Sequence, residues 1–246
     1  MLAVQLSVLP DSQPRCRLAS MMIVFCNTKG GVGKSTLAVH AAVWLKDLGY
    51  HVALLDADKQ RSSSEWMTEA EAGITIANAT DPDECLEKAQ QLIESHDIVI
   101  GDGPGGLDDL SRTLLLLSDL AVFPISPSIL DLRSVSQATT ILRYAQGINN
   151  GKPEGRLVLN KVRTRDTISK ELRAAAPNLG VEVTDAAIRD LQAFRDSAQQ
   201  GTVVSRMRRK GAGAASDIDA LCNELLEIVK KKGNLIRGND KEVANG

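Results

Sequence analysis

The chain has 246 residues, of which 43% are hydrophobic and 24% charged, and its formal net charge is −2. These values are ordinary for a soluble globular protein with one large buried core. The charge is uneven: residues 1–150 hold 11 Lys and Arg against 18 Asp and Glu, whereas residues 151–246 hold 18 against 13. The basic second part suggests an anionic partner, although an ordinary solvated surface would give the same count.

Cysteine spacing and hydropathy exclude several classes of protein. The four cysteines lie far apart with no CxxC pair, which argues against a zinc ribbon or disulfide scaffold and fits a reducing cytoplasm. No run approaches the roughly 18 apolar residues that span a bilayer. No positive charge precedes the fairly apolar residues 1–10, so we expect no signal peptide. We therefore expect a cytoplasmic protein.

Short β-rich runs alternate with helical patterns, which is typical of a parallel sheet wrapped by helices. The predicted strands span 22–27, 51–56, 73–77, 97–102, 120–125, 155–160 and 181–184. The predicted helices span 35–48, 82–95, 107–117, 131–146, 166–176, 187–199 and 216–231. We predict a doubly wound, mostly parallel α/β sheet flanked by helices. Its single domain covers 22–231, between a disordered extension (1–21) and a flexible tail (232–246).

A glycine-rich segment links the first predicted strand to the first predicted helix. Its sequence is Lys29-Gly30-Gly31-Val32-Gly33-Lys34-Ser35-Thr36. In such a loop the glycines let backbone N–H groups face phosphate oxygens, the second lysine contacts the β- and γ-phosphates, and the serine hydroxyl binds Mg²⁺. The segment predicts the phosphate-binding loop of a P-loop NTPase. An unrelated turn rich in glycine and lysine fits the strand–loop–helix context poorly.

Aspartates stand at the ends of two predicted strands. Asp56 and Asp58 close the strand at 51–56, and Asp102 closes the strand at 97–102. The carboxyl ends of parallel strands share one edge of the sheet, where ligands bind, and a buried aspartate there needs a cation or hydrogen bonds to offset its desolvation. Each aspartate alone could simply start a turn. After a P-loop, the set predicts Mg²⁺ binding and orientation of the water that attacks ATP.

Together these segments resemble the ParA/MinD family of deviant Walker A ATPases over about residues 22–231. Lys29 matches the family's signature lysine, while Thr28 stands where the general P-loop pattern has glycine. Asp56-Ala57-Asp58-Lys59-Gln60 is similar to the family's Asp-x-Asp-Pro-Gln motif, with Lys59 in place of proline. The likeness is greatest to small plasmid-partition ParA proteins, because with only 21 residues before the first predicted strand we expect no helix-turn-helix domain.

The resemblance implies roles for particular residues. Lys29 would reach the phosphates of the partner subunit in an ATP-sandwich homodimer, and Asp58 would position the hydrolytic water. Lys34, with its charge at the β- and γ-phosphates, completes the predicted catalytic residues. The implied magnesium ligands are Ser35, Asp56 and Asp102. Asn160 would contact adenine, although a helix or turn cap is an equally open role for it.

The resemblance also implies partners. An ATP-bound dimer would bind DNA without sequence preference, and a ParB-like or other cargo adaptor would stimulate hydrolysis and release it. Such a protein would distribute a plasmid, a chromosome locus or a protein cargo over the nucleoid. Only 3% of residues are aromatic, which favours phosphate contacts over base stacking. The basic candidates for DNA contact are Lys161, Arg163, Arg165, Arg189, Arg195, Arg206 and Arg208.

Two alternatives stay open. A MinD-like protein would bind membrane through an amphipathic C-terminal helix, and the predicted helix at 216–231 is amphipathic and ends in lysines. Acidic residues on its other face favour packing against the domain instead. Some relatives on the same fold are biosynthetic ligases or kinases, which would need a small-molecule substrate.

Overall fold

The computed structural model describes residues 20–243, except 72, 107, 127–130, 164–167 and 177–179. The strands are β1 (Met21–Asn27), β2 (Val52–Asp56), β3 (Thr75–Asn78), β4 (Ile98–Gly105), β5 (Leu120–Ile125), β6 (Glu154–Val162) and β7 (Glu182–Arg189). The helices are α1 (Lys34–Asp47), α2 (Ser62–Ala70), α3 (Pro82–Ser95), α4 (Asp109–Leu117), α5 (Asp131–Ile148), α6 (Ile168–Ala175), α7 (Gln192–Gln199) and α8 (Arg208–Val243).

The strands form one sheet in the order β3-β2-β4-β1-β5-β6-β7, and every neighbouring pair is parallel. The predicted α/β fold with its helix-flanked sheet is therefore confirmed, with the described strands wholly rather than mostly parallel. β1 lies at the centre of the sheet. The loop that follows it consequently opens between β4 on one side and β5 on the other.

Helices cover both faces of the sheet, so β1 is buried along its whole length. Ile23 and Phe25 belong to a core cluster that includes apolar side chains of α1 and α8. Val24 and Cys26 belong to the cluster on the opposite face, which includes side chains of α3, α4 and α5. A strand buried on both faces has a continuous apolar sequence rather than an alternating one, and this pattern predicts β1.

The predicted helices differ from the structure at α2, α7 and α8. The helix α2 was not predicted, because it begins in three serines and carries few apolar residues at helical spacing. The helix predicted at 187–199 begins only at Gln192, because residues 187–189 belong to β7. β7 is an edge strand, and Glu224 of α8 accepts hydrogen bonds from the backbone amides of Asp185 and Ala186 (both 2.9 Å). These bonds supply partners that the missing neighbouring strand would otherwise give.

The helix α8 is longer than the predicted 216–231, since it begins at Arg208 and its backbone stays helical to Val243. Its apolar side packs into the core, where Leu221 and Leu225 are almost fully buried. None of the described helices combines the length and hydrophobicity needed to cross a bilayer. The disordered extension at 1–21 and the flexible tail at 232–246 stay predictions; residues 1–19 and 244–246 lie outside the described part of the chain.

Candidate functional site

The loop between β1 and α1 is shaped by glycines. Gly31 and Gly33 have φ angles of 73° and 95°, in the left-handed region that other residues avoid. A Cβ at Gly33 would also collide with the side-chain amide of Asn160. Gly33 is the N-cap of α1 and offers no side chain to the helix, so the N–H groups of the first turn are left for another acceptor. Such a helix start favours an anion.

The loop forms one wall of a cavity of about 480 Å³. Lys34, which is only 6% exposed, lies at its base. The other lining residues follow β2, end β4 or belong to β6. The cavity is lined by Gly30, Gly31, Gly33, Lys34, Ser35, Thr36, Asp58, Gln60, Ser62, Gly105 and Lys161. The predicted loop and the predicted acidic segment are thus brought together.

Asp56 is buried and fully engaged by the protein. One carboxylate oxygen accepts the backbone amide of Asp58 (3.0 Å), and the other accepts both the amide and the hydroxyl of Ser64 (2.9 Å each). Ser64 lies in the first turn of α2, so this carboxylate fixes the loop between β2 and that helix. Its neighbour in register on β4 is Asp102.

Asp102 is fully buried, and within the described part of the chain no donor makes a well-formed hydrogen bond to either carboxylate oxygen. The hydroxyls of Ser35 and Ser63 lie close enough to lower its pKa, yet without hydrogen-bond geometry. Burial dominates, and with the nearby Asp56 it raises the pKa of Asp102 to about 7. A buried carboxylate without partners is unusual in a folded protein and indicates that a ligand belongs there.

The other two predicted catalytic residues, Asp58 and Lys29, differ in their relation to this cavity. Asp58 is half-buried, lines the cavity and accepts the backbone amide of Gln60 (3.0 Å). Lys29 is exposed and is not among the lining residues. Its backbone amide donates to the side-chain carbonyl of Asn27 (3.1 Å), whose amide donates to the carbonyl of Pro124 (2.6 Å). The start of the loop is therefore anchored to β5.

Asn160, at the end of β6, holds the loop from the other side. Its amide donates to the carbonyl of Val32 (2.7 Å), and the residue is buried. It also borders a second cavity of about 200 Å³, next to the first. That cavity carries apolar side chains of β7 and α7, among them Ile188, Leu191 and Phe194. Bracing the loop is a role that sequence reasoning had not assigned to Asn160.

Most basic candidates for DNA contact are engaged within the protein. Lys161 donates to the carbonyl of Gly31 (2.7 Å) and lines both cavities. Ion pairs join Arg163 and Arg195 to Asp190, Arg189 to Asp217, and Arg206 to Asp47 and Glu71. Arg208 is exposed, and Arg165 lies outside the described residues. Sequence alone could not reveal these pairs, since their members lie far apart along the chain or on separate elements.

His40 is a further residue that the sequence did not single out. It lies one turn after Thr36 on α1, is buried, and its Nδ1 contacts the carbonyl of Thr36 (2.7 Å). Its Nε2 accepts the backbone amide of Val204 (3.2 Å), which places the proton of the neutral ring on Nδ1. Burial lowers the pKa of His40 to about 4. The ring thus joins the phosphate-loop helix to the segment that leads into α8.

Three comparisons with known proteins agree with this geometry. A profile of the CobQ/CobB/MinD/ParA nucleotide binding domain matches residues 23–204. The maintenance of carboxysome distribution protein A of Halothiobacillus neapolitanus is 29% identical over 83% of this chain and 95% of its own length. Protein ParA of Rhizobium radiobacter is 26% identical over 88% of this chain and 99% of its own.

Among solved structures, an ATP complex of a Cyanothece McdA variant has a TM-score of 0.70 with 14% identity. The match covers 84% of this chain and 96% of that one, and at this identity it supports the fold alone. The family profile spans the glycine loop, both acidic strand ends and the bracing Asn160. The chain accordingly belongs to the CobQ/CobB/MinD/ParA nucleotide-binding family, among whose ParA/MinD-type positioning ATPases its curated relatives fall.

Proposed function

We propose that the protein is an ATP-driven positioning ATPase that distributes a cargo over the nucleoid. In this proposal a Mg·ATP-bound homodimer binds DNA without sequence preference, and an adaptor on the cargo stimulates hydrolysis and release. The observation that carries the proposal is the single cavity that brings together the glycine loop, Lys34 and Asp58. The near-full-length match to a carboxysome-distribution protein supports positioning of a protein assembly, and the match to ParA supports a plasmid or chromosome locus.

The residues present fit Mg·ATP. Magnesium is commonly held by one or two carboxylates together with substrate phosphates and water, rather than by a dedicated protein cage. Accordingly, the described residues hold no cluster of three His, Cys, Asp or Glu side chains suited to a metal ion. The two unpartnered oxygens of Asp102, with Ser35 beside them, are suited to hold the ion through its waters, and Asp56 lies next in register. The bound ion would neutralise phosphate charge.

Asp58 and Lys29 divide the remaining chemistry. Asp58 lines the cavity and has one oxygen committed to the Gln60 amide, so the other is placed to orient a water. Lys34 lies at the base of the same cavity and would neutralise the phosphates. The exposed Lys29 does not line the cavity of its own chain, which supports a role at the phosphates of a second subunit.

The second cavity is suited to the adenine ring. It adjoins the phosphate cavity through Gly33 and Thr36, and it offers apolar side chains for a flat base to lie against. Asn160 borders it, but the Asn160 amide already donates to Val32. We therefore propose that Asn160 acts chiefly on the loop and contributes to the base site by shape.

The DNA-binding surface is proposed at the start of α8. Arg208, Arg209 and Lys210 are exposed, and the first turn of this helix contains no acidic residue. Three cations at a helix N-terminus oppose the helix dipole and destabilise the fold, so their presence favours an anionic partner. The ion-paired arginines listed above are proposed to stabilise the domain rather than to contact DNA. Arg165, like Arg208, stays a candidate for contact with DNA.

The two alternatives have less support. The apolar side chains of α8 up to Val229 are committed to the core, so this part of the helix has no apolar face to offer a membrane. A biosynthetic ligase or kinase would need a substrate site beyond the nucleotide. Among the described residues, the apolar cavity next to the loop is the one that we assign to the adenine ring, so it does not supply such a substrate site.

The test is binding to a duplex of arbitrary sequence with ATP, ADP or no nucleotide, with anionic liposomes in parallel. We expect ATP-dependent DNA binding and no lipid binding. The triple variant Arg208→Ala, Arg209→Ala, Lys210→Ala should bind more weakly, and its plot of log affinity against log salt should be shallower by about 3. Arg112→Ala removes an exposed charge from α4 and serves as the control. It should change neither the DNA affinity nor its dependence on salt. Lipid binding alone would favour the membrane alternative. Binding to neither DNA nor liposomes would favour a biosynthetic ligase or kinase.

A further inference from the structure

A bulge interrupts the pairing of β6 with β7 where the two cavities meet. Asn160 lies opposite Ile188, but the next registered pair is Val162 with Arg189, so Lys161 is an extra residue without a partner on β7. Its φ angle is 60°, in the left-handed region. A lysine in this conformation is strained, and bulges of this kind redirect side chains near functional sites.

The bulge sends two consecutive side chains to the same loop. In a regular strand, neighbours point to opposite faces, so Asn160 and Lys161 could not both contact it. Here Asn160 donates to the carbonyl of Val32 and Lys161 Nζ donates to the carbonyl of Gly31, each at 2.7 Å. The Asn160 side-chain oxygen also accepts the backbone amide of Lys161 (2.9 Å), which fixes the bulge itself.

These two contacts control the direction of the loop amides. In a trans peptide the C=O and N–H groups point in opposite directions. Holding the carbonyls of Gly31 and Val32 therefore turns the N–H groups of Val32 and Gly33 away from β6. Because Gly31 and Gly33 have no side chain to restrict them, their peptides would otherwise rotate with little resistance. An anion-binding loop is effective when its donors are oriented in advance.

We propose that Lys161 is a positioning residue of the nucleotide site, which holds the Gly31 peptide in the orientation that binds polyphosphate. Its place in the lining of both cavities puts it beside the path from base to phosphates. The sequence had suggested a DNA contact for this lysine, and its contacts reassign it. The inference rests on the proposed binding of ATP at the loop and is independent of DNA binding.

The experiment measures equilibrium binding of ATP and ADP, without DNA, to Lys161→Met and Lys161→Arg. The methionine variant keeps the stem and loses a charge-assisted hydrogen bond, so we expect about tenfold weaker binding of both nucleotides. The arginine variant retains a donor and should recover most of the affinity. Lys170→Met, which removes an exposed lysine from α6, is the matched control and should bind like the wild type.

A second variant separates positioning from folding. Glycine adopts a left-handed φ without strain, so Lys161→Gly should unfold at the same or a higher temperature than the wild type while binding ATP about tenfold more weakly. In the nucleotide-free protein, hydrogen exchange at the amides of Val32 and Gly33 should be faster in Lys161→Met than in the wild type. Opposite changes in stability and affinity would not arise from a merely structural lysine.

Two results would overturn the inference. Unchanged ATP and ADP affinities in both Lys161→Met and Lys161→Gly would show that the loop keeps its shape unaided. A loss confined to ATP would mean that the lysine contacts the terminal phosphate instead of positioning the loop. Failure of the wild type to bind ATP would refute the proposed function itself, and so is distinct from either result.

Discussion

The polar groups on the two sides of β1 are satisfied in different ways. On the β4 side, Asp102 is buried with neither carboxylate oxygen paired among the described residues. On the β6 side, Asn160, Lys161 and Asp190 all make hydrogen bonds or ion pairs within the protein. Buried polar groups are normally paired, so a buried carboxylate with neither oxygen paired indicates a place for a ligand. The paired side acts as the scaffold that shapes the loop.

The largest effect is expected on the β4 side of β1, at Asp58. Asp58→Ala removes the carboxylate that would orient the attacking water, and it should lower ATP turnover about 100-fold or more. ATP binding should persist, because the loop and Lys34 are untouched, so the variant should accumulate as an ATP-bound dimer. Turnover and ATP affinity are measured on the same preparation. Asp83→Ala, which removes an exposed carboxylate from α3, should turn over like the wild type; rapid turnover by Asp58→Ala would remove that residue from the mechanism.

The comparison is sharpened by two aspartates that lie in register on β2 and β4 and whose substitutions should affect stability differently. Asp56 accepts three hydrogen bonds, and Asp56→Asn should lower the free energy of unfolding by roughly 3 kcal/mol, since an amide cannot accept all of them. Asp102→Asn removes a buried carboxylate that lacks partners, so without magnesium it should be neutral or stabilising. Urea unfolding without metal or nucleotide measures both. Equal losses would mean that Asp102 is paired after all.

The chemistry of the site was predictable because it is local in sequence. The loop at 29–36 and the aspartates at 56, 58 and 102 stand directly after apolar runs, and a parallel sheet brings such strand ends to one edge. The strands were predicted to within a few residues for the same reason, apart from β7, whose middle residues Asp185 and Ala186 donate to Glu224 of α8. A hydrogen-bond partner on another element leaves no pattern in the sequence of the strand itself.

The basic residues show where such reasoning fails. In the sequence, Arg189 and Arg206 count as cations available to DNA. The fold, however, pairs Arg189 with Asp217, and Arg206 with Asp47 and Glu71. Lys161 needed a bulge to reach the loop, and nothing in the sequence around it predicts one. A count of positive charge therefore overestimates the surface available to DNA. Residues 208–210, for which the described part of the chain shows no ion pair, are distinguished only once the other ion pairs are known.

His40 gives the smallest of the expected effects, and like the polar groups on the β6 side it is bonded within the protein. Both ring nitrogens are used, and Nε2 must stay unprotonated to accept the Val204 amide. Burial keeps the pKa of His40 at about 4, below its ordinary value of 6.5, so the unfolded chain binds a proton at a higher pH than the folded one. Its contribution to stability is therefore complete above pH 6.5 and is lost as the pH falls towards about 4. Between pH 6.5 and about pH 5 the loss should be roughly 2 kcal/mol.

The measurement is the free energy of unfolding of the wild type and His40→Gln across that pH range. The variant should be less stable at neutral pH because it loses the bond to Val204, but its stability should fall less steeply on acidification. His96→Gln is the comparison variant: the pKa of His96 is also lowered by burial, but this residue is partly exposed and should account for less of the slope. Parallel curves for the wild type and His40→Gln would mean that His40 is protonated as readily folded as unfolded. The ring could not then hold the segment before α8 by accepting the Val204 amide, and the proposed DNA surface at 208–210 would lose its direct link to the phosphate-loop helix.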